Sequence, residues 1–550
     1  MQKTVLFFLF LVLFLPAAAQ DGRVDIPVSW SLQLRESVIP IELPPLDLEA
    51  IHAEDAINDL DKSQPWRYGI SRTLTVDIHR DGTRSVLENG DKIWRLAIRS
   101  VGAVNLSVNF DNFRMPNGGT LFLYNQDRTD VSRRYTASEN SGTDGLGSWF
   151  VDGDVIIAEY YEPRYISTDV QLEIGTIIHG YRMGRVEDAV QRGLNDSGDC
   201  HYDVNCSVGS DFEGKKDVLK KTVALLNLGN GYLCSASLMN NTAEDKRPYL
   251  LTANHCLQNS NPSLWSVRFN WMSPNPICGT EQESIDLESN FTMSGAILRA
   301  NNALSDFALA ELSNPIPTSW DVSFAGWDRT DNLPTYEVGI HHPNGDIMKV
   351  CRDDSGAVRE NANGTEVWLI GGVSVGSGDG WEIGTTESGS SGSPLFDQNG
   401  RVIGQLYAGQ SFCDGTENNN DYDIYGRFAV SWNDGNTPET RLRDWLDPLD
   451  IGSTTIDVLQ NNLSIQDNEF VGTLEVYPNP VSDVLTIVNN RYPNLQYRFY
   501  NLVGQEIMSG SLSNTQNTLA LDALSQGVYF LYMIDEDSGS DITKKIIVEK

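Results

Sequence analysis

Between residues 70 and 175, apolar and polar side chains alternate with a period of two in one short segment after another. Leu74–Ile78, Ile93–Ile98, Leu106–Phe110, Thr120–Tyr124, Val155–Tyr160 and Val170–Ile174 each fit a strand with one buried face. Gly118-Gly119 lies between two of them and predicts a hairpin turn. The set predicts an antiparallel β-sandwich. From residue 193 to about 450, apolar segments recur between Gly, Asn and Asp turns. Val223–Asn227, Ser235–Met239, Arg247–Ala253 and Val267–Trp271 read as strands, whereas Leu442, Trp445 and Leu446 have helical spacing. A barrel-type β domain closed by a helix over 438–446 is expected. Residues 451–472 are polar and weakly patterned, as in a linker. Regularly spaced strands then return in Leu485–Val488, Tyr497–Tyr500 and Gly527–Tyr532, which predicts a small second sandwich.

Length and composition divide this pattern. The 550 residues exceed one hydrophobic core, so several domains are required. Lys3, the apolar run Val5–Leu15 and the stretch Pro16–Gln20 have the layout of a secretory signal peptide over 1–20, the run being too short to span a bilayer. The formal net charge of −35 argues against nucleic acid or an anionic membrane surface as partner. All seven cysteines lie between Cys200 and Cys413, which marks one disulfide-bearing domain of an exported protein and leaves one thiol over. With no CxxC and no paired His/Cys motif of the metal-binding kind, neither a metal nor another cofactor is expected. The polar, glycine-bearing stretch Val190–Gly198 predicts proteolytic maturation at Arg192–Gly193, against a plain linker as the alternative. Residues 21–192 then form a prosegment, 193–450 the central domain and 473–550 the tail. No chemical constellation appears in 21–192, where His52, His79 and His179 are isolated.

The candidate chemistry lies in the central domain. Gly389-Ser390-Ser391-Gly392-Ser393-Pro394 puts a hydroxyl on a tight loop whose backbone N–H groups converge, as acyl transfer requires. His255 follows the apolar segment Leu250–Ala253 and precedes Cys256, so a disulfide would fix a general base in place. Cys256 as a nucleophile is the weaker alternative in an oxidising compartment. Asp306 is the only acid between 292 and 310, and apolar residues follow it. A buried carboxylate there would be paired with a histidine, a turn-capping role being the alternative. The order His255, Asp306, Ser391 is one of the three known for the serine triad.

These stretches carry a resemblance. Leu251–Cys256, Ser305–Phe307, Ala325–Arg329, Ile340–Pro343, Gly389–Pro394, Tyr425–Arg427 and Asp444–Pro448 are similar to the lysyl endopeptidases, a branch of the chymotrypsin-like serine proteases. The resemblance implies a chymotrypsin-like double β-barrel in a mainly β protein, with Ser391 as nucleophile, His255 as base and Asp306 as its orienter. It also implies an oxyanion hole at Gly389 and Ser391, and the disulfides Cys200–Cys413, Cys206–Cys278 and Cys234–Cys256, with Cys351 left over. Asp423, shortly before Tyr425-Gly426-Arg427, takes the place of the acid that selects a basic side chain, with Asp421 as the nearby alternative and a solvated loop or loose Ca²⁺ site ranked below. Tyr407 stands where the family has a histidine, Arg192 where it has a lysine, and Ser390 where trypsin-type enzymes have an acid, so activation by prosegment removal is expected. Tyr477-Pro478-Asn479-Pro480-Val481, Asn501–Gln505, Gly527–Tyr529 and the basic end resemble type IX secretion sorting domains. That resemblance implies export through the periplasm to the surface or medium and contact with outer-membrane secretion machinery. The function expected is a secreted, monomeric serine endopeptidase cutting proteins or peptides after basic residues, above all lysine. The alternatives are an enzyme that also cuts after arginine and a catalytically silent, protease-like surface adhesin.

Overall fold

A computed structural model describes residues 26–550 except 33, 35–37, 141–144, 167–169, 187–188, 193–194, 285–290, 462–473, 490–494, 502–504, 513–514, 523 and 536–540. The signal peptide expected over 1–20 and Gly193 lie outside the described residues. Two compact units are distinguished, residues 1–461 and 462–550.

In the N-terminal region the alternating segments form two sheets around a shared core. One holds Ile41–Leu43, Lys92–Ser100, Val155–Glu162 and Thr120–Asn125, with Thr83–Val86 attached; the other holds Gly69–Asp77, Gln171–Gly180 and Asn105–Arg114. Ile98, Leu121 and Tyr160 from the first meet Leu106, Phe110 and Ile174 from the second, all buried. The sandwich is antiparallel save for Ile41–Leu43, which runs parallel to Ile98–Ser100. The hairpin expected at Gly118-Gly119 is not formed. Asn105–Arg114 pairs with Gln171–Gly180 and Thr120–Asn125 with Val155–Glu162, so the turn carries the chain from one sheet to the other. Alternation reports which face is buried, not which neighbour pairs.

Two further sheets make the central body. The first runs Thr292–Ser294, Ser266–Phe269, Val223–Asn227, Tyr232–Met239, Tyr249–Ala253, Phe307–Leu312, Ala296–Asn302. The second runs Tyr202–Asp203, Lys349–Asp353, Glu337–His341, Pro394–Asp397, Val402–Gly409, Asp423–Arg427, Thr365–Ile370, Val358–Ala362. A cluster including Leu251, Phe307, Ile340, Phe396 and Trp327 is buried between them. The helix expected over 438–446 is broken: a 3₁₀ turn at Pro438–Thr440 and a short helix at Arg443–Leu446 flank an extended Arg441. Phe428–Asn433 forms a helix that the sequence pattern did not predict. Within the stretch read as linker, Thr455–Ile456 and Leu459–Gln460 pair with Trp327–Asp328 and Ser323–Phe324, and so belong to the body. The N-terminal region adds a strand of its own here, Trp66–Arg67 pairing with Tyr232–Leu233.

Residues 474–550 form two sheets, Leu474–Tyr477, Val484–Asn489, Gln516–Ala520 and Glu506–Leu512, Leu495–Asn501, Gly527–Asp535, Asp541–Val548, around Leu485, Phe499, Leu531 and Ile546.

Candidate active site

Strand register brings the first two candidate residues together. Ala253 ends one strand opposite Phe307, which begins its antiparallel neighbour, so the residues just past each end face one another. His255 lies in the 3₁₀ turn Asn254–Leu257, and its Nδ1 is 2.8 Å from Asp306 Oδ2. The backbone N–H of His255 donates to Asp306 Oδ1 at 3.0 Å, so both carboxylate oxygens are engaged by one residue. Asp306 is buried and adopts a left-handed φ of 49°. Its carbonyl accepts from Asn254 N–H at 2.8 Å, and Gln405 Nε2 donates to the carbonyls of Ser305 and Asp306. The Tyr407 ring is centred 6.2 Å from His255, in the place noted as a departure from the family pattern.

Ser391 arrives from the second sheet, in the loop before Pro394–Asp397, and its carbonyl accepts from Ser235 N–H of the first at 2.8 Å. Gly392 has φ +82°, and a Cβ there would stand 2.1 Å from Thr252 Oγ1, so glycine permits this approach of the two halves. Gly389 is likewise left-handed at φ +89°. Ser390 Oγ lies 2.8 Å from Nδ1 of buried His341, which accounts for the hydroxyl where trypsin-type enzymes have an acid. The chain just after residue 193 is fixed elsewhere: Asn195 N–H and Ser197 Oγ donate to the two oxygens of buried Asp346. Arg192 ends the strand Ala189–Arg192, paired with Gly184–Val186.

The nucleophile and base candidates are not hydrogen-bonded to each other. Ser391 Oγ donates to the carbonyl of Lys62 at 3.1 Å, and His255 Nε2 has no partner. The Lys62 side chain, 5% exposed, enters a pocket whose floor is Asp423, fully buried. Its Nζ meets Asp423 Oδ1 at 2.5 Å, Thr386 Oγ1 at 2.9 Å, and the carbonyl and hydroxyl of Ser411 at 2.8 Å each. Asp423 Oδ2 accepts from Trp381 Nε1, Thr386 Oγ1 and Ser411 Oγ at 2.6–2.7 Å. A Cβ on Gly409 would fall 1.9 Å from Asp423 Oδ1, so the absent side chain makes room for the carboxylate. Asp421, the alternative acid, instead accepts from exposed Ser374. Trp381, Thr386, Ser411 and Lys62 were not singled out from the sequence. The one cue for Lys62 is that it is the sole lysine between residues 4 and 91.

Three disulfides are formed, Cys200–Cys413, Cys206–Cys278 and Cys234–Cys256. Cys234–Cys256 ties the His255 turn to the strand Tyr232–Met239. Cys351 is a buried free thiol, and burial pushes its pKa well above the ordinary value. The three isolated histidines of the N-terminal region have structural settings. His52 contacts Tyr181, His79 packs on Trp94 beside Glu162, and His179 Nδ1 bonds Ser100.

Residues 194–426 match the family described as lysyl endopeptidase, C-terminal domain. The central domain is lysyl endopeptidase-like. Residues 475–549 match the secretion system C-terminal sorting domain, a type IX signal that marks the chain as secreted or cell-surface and destined for the secretion machinery. A lysyl endopeptidase of Pseudomonas aeruginosa is 26% identical to the chain over 288 residues, which are 50% of this chain and 59% of that protein. The chain thus aligns with about three-fifths of that relative's length. A solved structure, described as PorZ, an essential surface component of the type IX secretion system of Porphyromonas gingivalis, covers 59% of this chain and 41% of its own. At 10% identity and a TM-score of 0.14 it carries no argument. Among the described residues no helix is long and apolar enough to cross a membrane.

Around the lysyl endopeptidase-like site, buried histidines tie stability to pH. Burial holds His342, stacked on Trp271, down at about 4, against a carbonyl of Asp346 that favours its charged form. Below about pH 6.5 the unfolded chain binds protons that folded His342 does not, so stability is expected to fall as pH drops from about 6.5 to 4. His342→Phe should remove up to about 3 kcal/mol of that fall, read as a smaller drop in Tm between pH 7 and pH 4.5 than the parent shows.

Proposed function

We propose that residues 193–450 are a secreted serine endopeptidase that hydrolyses peptide bonds after lysine. The observation that carries the reading is Lys62, whose ammonium sits on Asp423 while its carbonyl lies at Ser391 Oγ. A P1 residue places those same two groups, a recognised side chain and a carbonyl offered to the nucleophile. Five oxygens from Asp423, Thr386 and Ser411 converge on one nitrogen. That suits the compact charge of an ammonium better than the planar fork of a guanidinium. Sequence composition agrees: residues 21–192 hold two lysines, Lys62 and Lys92, against sixteen arginines, a balance suited to a region that must survive beside a lysine-cutting site.

In this mechanism Ser391 Oγ attacks the carbonyl carbon, His255 Nε2 takes its proton, and Asp306 holds Nδ1 protonated and stabilises the imidazolium. The N–H groups of Gly389 and Ser391 receive the oxyanion. His255 then protonates the leaving amine, and water attacks the acyl-enzyme by the same route in reverse. The test is hydrolysis of matched peptide amides bearing lysine, arginine or norleucine at P1 by the processed chain. Lysine should be cut at least tenfold better than arginine, with norleucine inert, and Asp423→Asn should lose on the order of 10³-fold in kcat/KM for lysine. Equal rates on lysine and norleucine would remove the reading.

A further inference from the structure

We propose that the segment Asp59–Gln64 is a built-in pseudosubstrate, which fills the lysine pocket of the unprocessed chain and holds the nucleophile out of action. The proposal rests on the lysyl endopeptidase reading above. Lys62 occupies the oxygens of Asp423, Thr386 and Ser411 that an external lysine would need, so the two exclude one another.

The segment is held in a form unsuited to cleavage. Residues 61–64 make a turn in which Gln64 N–H donates to the Asp61 carbonyl at 3.2 Å. Asp61 Oδ1 accepts from Ser63 N–H at 3.0 Å and from Ser63 Oγ at 2.6 Å. The N–H of the nitrogen that would leave from the Lys62–Ser63 bond is therefore engaged by a carboxylate of the same turn. Ser391 directs its proton at the Lys62 carbonyl, while His255 Nε2, the base that should receive it, is unpartnered. A hydroxyl in that arrangement is not activated.

Anchors outside the pocket keep the segment there. It follows the helix Leu48–Asn58, whose buried Asp55 pairs with Arg67 and Arg182 at 2.7 Å each and accepts from Tyr181 OH at 2.7 Å. Arg182 also pairs with Asp59, whose carbonyl accepts from Ser388 Oγ at 2.8 Å. On the other side Trp66–Arg67 joins the first sheet of the body, and Trp66, Tyr68 and Trp149 pack against Leu225, Leu233 and Trp271.

Binding in the full-length chain tests this without turnover. All proteins carry Ser391→Ala to prevent self-cleavage, are verified intact by mass and folded by circular dichroism, and are titrated with a fluorescein-labelled peptide containing one lysine. Adding Lys62→Ala should tighten binding at least tenfold. Asp55→Asn, which leaves the pocket untouched and loosens the anchor, should tighten it severalfold. Unchanged binding in both variants overturns the proposal. Failure of the processed, otherwise unaltered chain to cut lysyl peptides would count instead against the proposed function.

Discussion

Ser391→Ala is expected to lower kcat on lysyl peptide amides by about 10⁵- to 10⁶-fold, the scale seen when a serine protease loses its nucleophile. The reason is chemical, since no other group can take its place. Among the described residues, the adjacent hydroxyl of Ser390 is committed to His341, and that of Ser393 is fully buried. Cys256, once a rival nucleophile, is bonded to Cys234 and has no thiolate to offer. The comparison is made with both proteins in the processed form, so that Lys62 does not mask the site. KM should change little, because the lysine side chain is bound by Asp423, Thr386 and Ser411 and not by Ser391. A variant within tenfold of the parent would take the nucleophile's role away from this residue.

How far such a site can be read before folding depends on the distance between its parts along the chain. His255 and Asp306 were legible because each ends or begins an apolar strand, and the pairing of Ala253 with Phe307 turns that local cue into a contact. The glycines at 389 and 392 announced a tight loop, and both are left-handed. The ring around Asp423 was not legible, since Trp381 and Thr386 come from one long loop and Ser411 from another, and none has a local pattern of its own. Lys62 lies 361 residues from Asp423, and a lone lysine in a turn has an ordinary surface explanation. The same limit produced the mistaken hairpin at Gly118-Gly119, where alternation fixed the buried faces but not the partners. The helix over 438–446 failed for another reason. Leu442 and Leu446 are buried as expected, but they reach the core from a short turn whose preceding residue is extended.

The second large effect concerns a residue that never touches substrate. Asp306→Asn is expected to reduce kcat by about 10⁴-fold while preserving the fold. The carboxylate now accepts twice from His255, through the backbone N–H at 3.0 Å and the ring Nδ1 at 2.8 Å. An asparagine has one oxygen for these two donors. The backbone N–H retains it, and the amide NH₂ then faces Nδ1. That nitrogen can only accept, so the ring proton moves to Nε2, where it blocks receipt of the Ser391 proton. The loss should therefore appear in kcat with KM nearly unchanged, and no additional lysine in the substrate should restore it. Thermal stability is the control. The position tolerates a left-handed φ, which asparagine adopts about as readily as aspartate, and the Asn254 and Gln405 bonds go to backbone carbonyls that the substitution leaves in place. An Asp306→Asn protein that folds normally and retains a tenth or more of the parent's kcat would show that His255 is not held by this carboxylate during turnover.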